Sequence, residues 1–254
     1  MADDAQAHAP RAAHRCHPSR IAQLGTPQAL PGLELLWSGS VPDHAEEAAG
    51  RLHLLDASES ARLAALRRAQ DRDAYLVAHV TLRRLLAERL GQAPEAVSLL
   101  REPCSHCGGP HGRPYVPGRG VHFSLSHTRG MVLIALASRP VGVDVETLVD
   151  ASAVDELTFQ LHPDEAAELA VVPYEARPRA FTRCWTRKEA VLKASGVGLN
   201  VEPALTYVGA GAQPASQQAW LLADVTTEPG YAAAVAVRRP DRDPGDHRPF
   251  RSLS

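Results

Sequence analysis

The sequence predicts an α+β protein of two similarly ordered halves, each a small, mainly antiparallel sheet with helices, and a site in the cleft between them. Three observations predict it. Two stretches alternate around turn residues as hairpins do: 121–126 with 131–137 around Thr128-Arg129-Gly130, and 219–225 with 231–237 around Glu228-Pro229-Gly230. Leu63, Leu66, Leu82, Leu85 and Leu86 recur at helical spacing. The order of elements also repeats across Arg139-Pro140. The first half reads as a strand at 33–37, a helical region over 58–90, a short strand at 97–100 and the first hairpin. The second reads as a strand at 141–145, helices between 151 and 195, a strand near 205–208 and the second hairpin. Clefts between such halves are common ligand sites. The expected boundaries are a disordered segment at 1–30, halves at 31–139 and 140–238, and a disordered tail at 239–254.

Length and composition set the frame. The chain has 254 residues, 44% apolar and 22% charged, with a net charge of -2. That is enough for one large domain or two small ones. It lacks the strongly basic balance of a nucleic-acid binder. No apolar run is long enough to cross a bilayer, and the first thirty residues lack the apolar core of a secretory signal. The expected location is the cytoplasm. There, the four cysteines are poor evidence for disulfides.

Of 27 basic residues only Lys188 and Lys193 are lysines. An arginine-rich composition leaves the question of why lysine persists at these two positions. A compact ammonium and a planar guanidinium are not interchangeable, so a site that needs the former would keep it.

The carboxylates come next. In Val141-Gly142-Val143-Asp144-Val145-Glu146 the valines share one face of a strand, and Asp144 and Glu146 sit side by side on the other. Two adjacent carboxylates repel unless a cation lies between them, and Mg²⁺ suits such oxygen ligands. A solvated face of an edge strand is the competing reading. Residues 181–193 read as a helix, ended by the glycines at 196 and 198. Glu189 and Lys193 share a face of it at i, i+4, either as a surface ion pair or as part of a site.

Ser124, Ser126, His127 and Thr128 end the first hairpin strand, where they either donate to phosphate oxygens or cap the turn. Arg113, between Gly112 and Pro114, adds a cation. Cys104-Ser105-His106-Cys107-Gly108-Gly109-Pro110-His111 resembles half of a zinc knuckle, with His111 as a third ligand and Cys16 or His17 as a fourth. The alternative is a turn-rich loop leading to Arg113.

Four segments together, Gly112-Arg113-Pro114, 123–128, 141–146 and 185–193, resemble in order and spacing the 4'-phosphopantetheinyl transferases of the surfactin-synthetase-activating (Sfp) type. The resemblance runs from about residue 52 to residue 237. It implies a monomer of two pseudo-symmetric halves that moves phosphopantetheine from coenzyme A to a serine of an apo acyl or peptidyl carrier protein. Fatty acid, polyketide and nonribosomal peptide synthases all use this chemistry. By position, Asp144, Glu146 and Glu189 match the metal-binding acids, for Mg²⁺ or Mn²⁺. Ser126 and His127 match the residues that hold the 3'-phosphate of coenzyme A. Arg113 stands near the adenosine end. Lys188 and Lys193 match the helix lysines, with Lys193 at the pyrophosphate. Glu189, directly or through a metal-bound water, is the candidate proton acceptor. Arg72 is the favoured amino-terminal contact to the 3'-phosphate, with Arg83 or Arg67-Arg68 as alternatives. The carrier is expected to dock on 147–157, whose Leu148, Val149, Val154 and Leu157 serve either docking or the core. The competing functions are a non-catalytic coenzyme A-binding or zinc-stabilised module and a metal-dependent nucleotide pyrophosphate hydrolase.

Overall fold

The computed structural model describes residues 30–104, 107–109, 112–118, 120–196 and 202–240. The terminal segments expected to be disordered therefore lie outside the described residues, apart from their inner edges. At those edges the chain is tied down: Leu30 packs against a core cluster, and the Arg239 N–H donates to the Ala219 carbonyl at 2.9 Å.

The chain begins with β1 (Leu33–Ser40) and α1 (Val41–Ala49), followed by α2 (Ala57–Ala65) and α3 (Ala69–Leu90). A short ribbon of β2 (Leu100–Arg101) and β3 (Pro114–Tyr115) precedes the hairpin of β4 (His122–His127) and β5 (Met131–Ala137). Then come β6 (Val141–Thr147), α4 (Ala151–Leu157), α5 (Pro163–Ala170), α6 (Arg177–Ser195) and the hairpin of β7 (Trp220–Val225) and β8 (Tyr231–Arg238). The two three-stranded antiparallel sheets have orders β1-β5-β4 and β6-β8-β7, so each opening strand pairs with the last strand of its own hairpin. This is the same topology twice.

Three apolar clusters stack these parts. One lies between the first sheet and α3, through Val77, Leu86, Ile134 and Leu136. A second lies between the second sheet and α6, through Phe181, Ala190, Ala234 and Ala236. The third joins the sheets face to face, with Leu133 and Ala135 against Val141, Val143, Val145 and Val235. The three valines of β6 therefore face the other sheet, and Gly142, Asp144 and Glu146 face α6, as strand alternation requires. β6 and β4 are both edge strands, and serines stitch them together. Val143 N–H donates to Ser124 Oγ at 3.0 Å and Val145 N–H to Ser126 Oγ at 3.3 Å.

Gly142 is what lets α6 lie so close. A Cβ there would stand 2.0 Å from the Ala190 carbonyl oxygen and 2.4 Å from the Ala194 nitrogen. Gly142→Ala is expected to destabilise the fold by roughly 1–3 kcal/mol or more, as overpacking does. An unchanged urea midpoint would contradict this packing.

Three elements differ from the sequence reading. The helical region splits because Leu66 leaves α2 with extended backbone, and α3 starts only at Ala69. Leu66 thus leaves the helical stripe, while Leu82, Leu85 and Leu86 stay in the core. The strand placed at 97–100 shrinks to Leu100–Arg101, because Val97 closes a 3-10 turn and its carbonyl accepts from Arg83 Nη1 at 2.9 Å. No strand forms near 205–208. The N–H groups of Val208 and Gly209 donate to Glu165 Oε1 instead, at 2.6 and 3.1 Å, so a carboxylate replaces a neighbouring strand.

Candidate active site

β6 and α6 build the centre of the site. Asp144 is 2% exposed, and its Oδ1 accepts from Lys193 Nζ at 2.6 Å and from Ser126 Oγ at 2.8 Å. Ser126 Oγ also accepts from Lys193 Nζ at 3.1 Å. With the Val145 N–H, the one donor and two acceptor positions of this hydroxyl are filled. Ser126 thus orients Asp144 and Lys193. Any contact of this hydroxyl with a 3'-phosphate would exchange one of these partners.

Asp144, Glu146, Glu189 and Lys193 line one cavity of about 360 Å³ together with Leu125, Ser126, His127 and Trp185. Lys193 pairs across elements with Asp144, so the i, i+4 surface pair with Glu189 gives way to a site contact. Asp144 Oδ2 and Glu189 Oε1 are buried without a hydrogen-bond partner. Burial, with Asp144 and Glu189 alongside, pushes the Glu146 carboxyl up to about 7. Burial and Asp144 also raise that of Glu189. Carboxylate oxygens left bare in this way suit a hard divalent cation. Among the described residues no three His, Cys, Asp or Glu side chains are already drawn together as metal ligands, and the Lys193 ammonium stands beside Asp144.

The raised carboxyls fix the sign of a pH effect. A carboxyl raised from 4.5 to about 7 holds its proton more tightly in the folded state, so the associated stability is lost as pH climbs through that window. His127, lowered to about 4, acts with the opposite sign, so the Glu146 contribution is read as the difference between the parent and Glu146→Gln. In chelated protein the midpoint of the parent relative to Glu146→Gln is expected to fall as pH rises from about 4.5 to about 7, and Mg²⁺ is expected to restore it at the upper end. Thermal melts of both proteins with and without Mg²⁺ check this; a difference that grows with pH would contradict the carboxylate geometry.

A second, larger cavity of about 830 Å³ shares Leu125, His127 and Lys193 with the first. Arg62, Tyr75, His79, Arg101 and Arg113 also line it. Tyr75 stacks on His79 at 3.9 Å, and His127 meets Tyr75 edge-on at 6.4 Å. His79 Nδ1 lies 2.8 Å from Glu59 Oε1. The protein crowding His127, with His79 and Lys193 near, pushes its imidazole down to about 4, although the residue is exposed. His127 is therefore neutral at pH 7. Arg113 donates to the Ala194 carbonyl at 3.0 Å and to Glu102 at 2.8 Å, which ties it to the end of α6 near Lys193.

The other basic candidates are placed elsewhere. Lys188 is fully buried. Its Nζ lies 2.5 Å from Glu165 Oε2 and donates to the carbonyls of Pro203 and Thr206. Arg83, 1% exposed, is held by Asp56 and Glu59 at 2.6 Å each. Arg72 donates to the Leu66 and Arg67 carbonyls at 3.3 and 3.1 Å, where it closes the break before α3, and it does not line either cavity. The arginines that do line the larger cavity, Arg62 and Arg101, were missed. Arg62 sits in the last turn of α2 among small residues, with no local signal beyond its charge. After β6, Val154 is in the core and Val149 and Leu157 pack against it, so packing accounts for these three. Of the knuckle residues, Cys104 is buried and Cys107 exposed. His106, His111, Cys16 and His17 lie outside the described residues.

Comparison with known proteins places this geometry. Residues 140–236 match the family model of the 4'-phosphopantetheinyl transferase superfamily. The chain is 34% identical over 169 residues to the 4'-phosphopantetheinyl transferase HetI of Nostoc sp. (strain PCC 7120), covering 61% of this chain and 67% of the relative. It is 30% identical over 152 residues to the putative 4'-phosphopantetheinyl transferase slr0495 of Synechocystis sp. (strain PCC 6803), covering 58% and 59%. Against the 4'-phosphopantetheinyl transferase Sfp of Bacillus subtilis (strain 168) it is 26% identical over 139 residues, covering 52% and 62%. A superfamily match that spans β6, α6 and the second hairpin, with relatives that extend beyond it, makes this chain a member of the 4'-phosphopantetheinyl transferase family, of the Sfp type.

Proposed function

We propose that the protein transfers the 4'-phosphopantetheine group of coenzyme A to a serine of an apo acyl or peptidyl carrier protein and releases adenosine 3',5'-bisphosphate. One observation carries the reading: buried, unpartnered carboxylate oxygens stand beside Lys193 in a cavity that shares Lys193 and His127 with a second one lined by arginines. The first suits a pyrophosphate with its cation, and the second suits the phosphorylated adenosine end.

Asp144, Glu146 and Glu189 would hold Mg²⁺ or Mn²⁺, which when bound offsets the negative charge of the pyrophosphate. Lys193 donates to Asp144 and Ser126, and its third N–H would meet the charge that develops on the leaving phosphate. The serine oxygen forms a bond to the β-phosphorus as the bond to the nucleotide phosphate breaks. Glu189, one of whose carboxylate oxygens is buried without a partner, takes the serine proton. Arg62, Arg101 and Arg113 take the phosphates of the adenosine end, and neutral His127 donates a hydrogen bond there. A cytoplasmic monomer belongs to the same reading. Among the described residues no helix is long and apolar enough to cross a membrane.

Release of adenosine 3',5'-bisphosphate from coenzyme A, followed by chromatography with and without apo carrier, tests the reading. Release only with carrier supports it. Release without carrier would favour a hydrolase, and tight coenzyme A binding without release a non-catalytic module. Lys193→Arg is expected to lower turnover on the order of 10-fold to 10²-fold, because guanidinium keeps the charge and loses the compact point donor. Full activity in that variant, measured at saturating coenzyme A, would remove Lys193 from the chemistry.

A further inference from the structure

The β2–β3 ribbon carries a second concentration of ligand chemistry, with atoms of a different kind. Its ladder pairs Leu100 with Tyr115 and Arg101 with Pro114. Above the ladder, Glu102 N–H donates to the Arg113 carbonyl at 2.9 Å and Gly112 N–H to the Glu102 carbonyl at 3.0 Å. The strands approach so closely that a Cβ on Gly112 would lie 2.4 Å from the Glu102 oxygen. At the tip, Cys104 N–H donates to the Gly109 carbonyl at 2.7 Å, and Gly108 N–H to the Cys104 carbonyl at 2.8 Å. Gly109 N–H donates to Cys107 Sγ at 3.4 Å, and Gly108 holds a φ of +71°, the left-handed backbone that glycine takes without strain.

Each feature has a physical consequence. The Gly108 N–H on the Cys104 carbonyl brings the two ends of the C-x-x-C segment into one turn. The glycine after the second cysteine lets the chain reverse, and that reversal aims the next amide at a sulfur. An amide N–H aimed at a sulfur holds it in place, as outer-shell partners hold metal ligands. We propose that this turn binds a thiophilic divalent cation, zinc in the first instance, through the thiolates of Cys104 and Cys107. Two thiolates are half of the four-coordinate shell such a cation takes. The site is distinct from the carboxylate cavity, whose oxygen ligands select hard cations. A cation here would brace the ribbon, whose far end sets Arg113 against the Ala194 carbonyl.

The test uses the full chain purified without chelator. Elemental analysis is expected to find roughly one zinc per chain. In Cys104→Ser and Cys107→Ser the zinc is expected to fall to background, with the circular dichroism of the parent retained. Cys107 is exposed, so its variant keeps the test valid should the buried Cys104 prove necessary for folding. Co²⁺ in place of zinc is expected to give a thiolate-to-cobalt charge-transfer band that both variants lose. Zinc no higher in the parent than in the serine variants after zinc loading and dialysis would overturn the proposal. So would a parent chain that is lighter by two hydrogens under the same conditions, the mark of a Cys104–Cys107 disulfide. Zinc content is read without carrier protein or coenzyme A, so its outcome is separate from that of the transferase reading.

Discussion

Asp144→Ala is expected to lower the transfer of phosphopantetheine on the order of 10²-fold to 10³-fold, the scale seen when a preorganised electrostatic group is removed from an active site. The side chain does three things at once. It anchors Lys193 at 2.6 Å, accepts from Ser126 at 2.8 Å, and leaves Oδ2 buried and bare in the cavity. Alanine releases Lys193 and removes one of the three acids that would hold the cation. Asp144→Asn keeps the shape and loses the charge, so a comparable loss there assigns the effect to charge. Transfer rates at saturating coenzyme A, beside the unfolding midpoint of each variant, check this. Activity within tenfold of the parent in a folded Asp144→Ala protein would remove the carboxylate site from the account.

Lys188→Met is expected to act on stability. The ammonium has three N–H donors, and Glu165, Pro203 and Thr206 accept from them at a position with no solvent exposure. Glu165 in turn accepts from the N–H groups of Val208, Gly209 and His162. Removing the lysine leaves a buried carboxylate without its counter-ion, and breaking a pair of this kind costs roughly 3–5 kcal/mol. Lys188→Met with Glu165→Gln is expected to recover part of the loss, because no charge is then stranded. Denaturant unfolding of the two proteins measures it. If Lys188→Met unfolds like the parent but binds coenzyme A more weakly, the buried pair is not what keeps this lysine.

The two lysines show where the sequence could be read and where it could not. Their rarity pointed to positions where an ammonium is needed, and each holds its ammonium among specific partners. It did not show that one serves the cavity and the other the interior. The two sit five positions apart on α6, and only the packing of that helix decides which face meets β6 and which meets α5. The carboxylates were more legible, because strand alternation alone puts Asp144 and Glu146 on one face. That this face meets α6 rather than water follows from Gly142, whose missing side chain admits the helix backbone.

Hairpins and long helices were legible for the same local reason: period and turn residues mark them. The strand expected near 205–208 failed because its N–H groups are satisfied by Glu165, a residue some forty positions away. The partners of Ser126 were hidden in the same way, because only the tertiary fold lays the edge of β6 beside that strand end. Arg62 and Arg101 gave no periodic or spacing signal, and only the tertiary fold gathers them with Arg113, while Arg72 turns back onto its own loop.

The intact mass of an apo carrier protein, taken after incubation with this protein, coenzyme A and Mg²⁺, tests the central claim most directly. A gain of one phosphopantetheine is expected, absent when the carrier's target serine is alanine and absent with Asp144→Ala. A carrier whose mass stays unchanged across carriers of fatty acid, polyketide and peptide synthases, with the protein folded and coenzyme A bound, would contradict it.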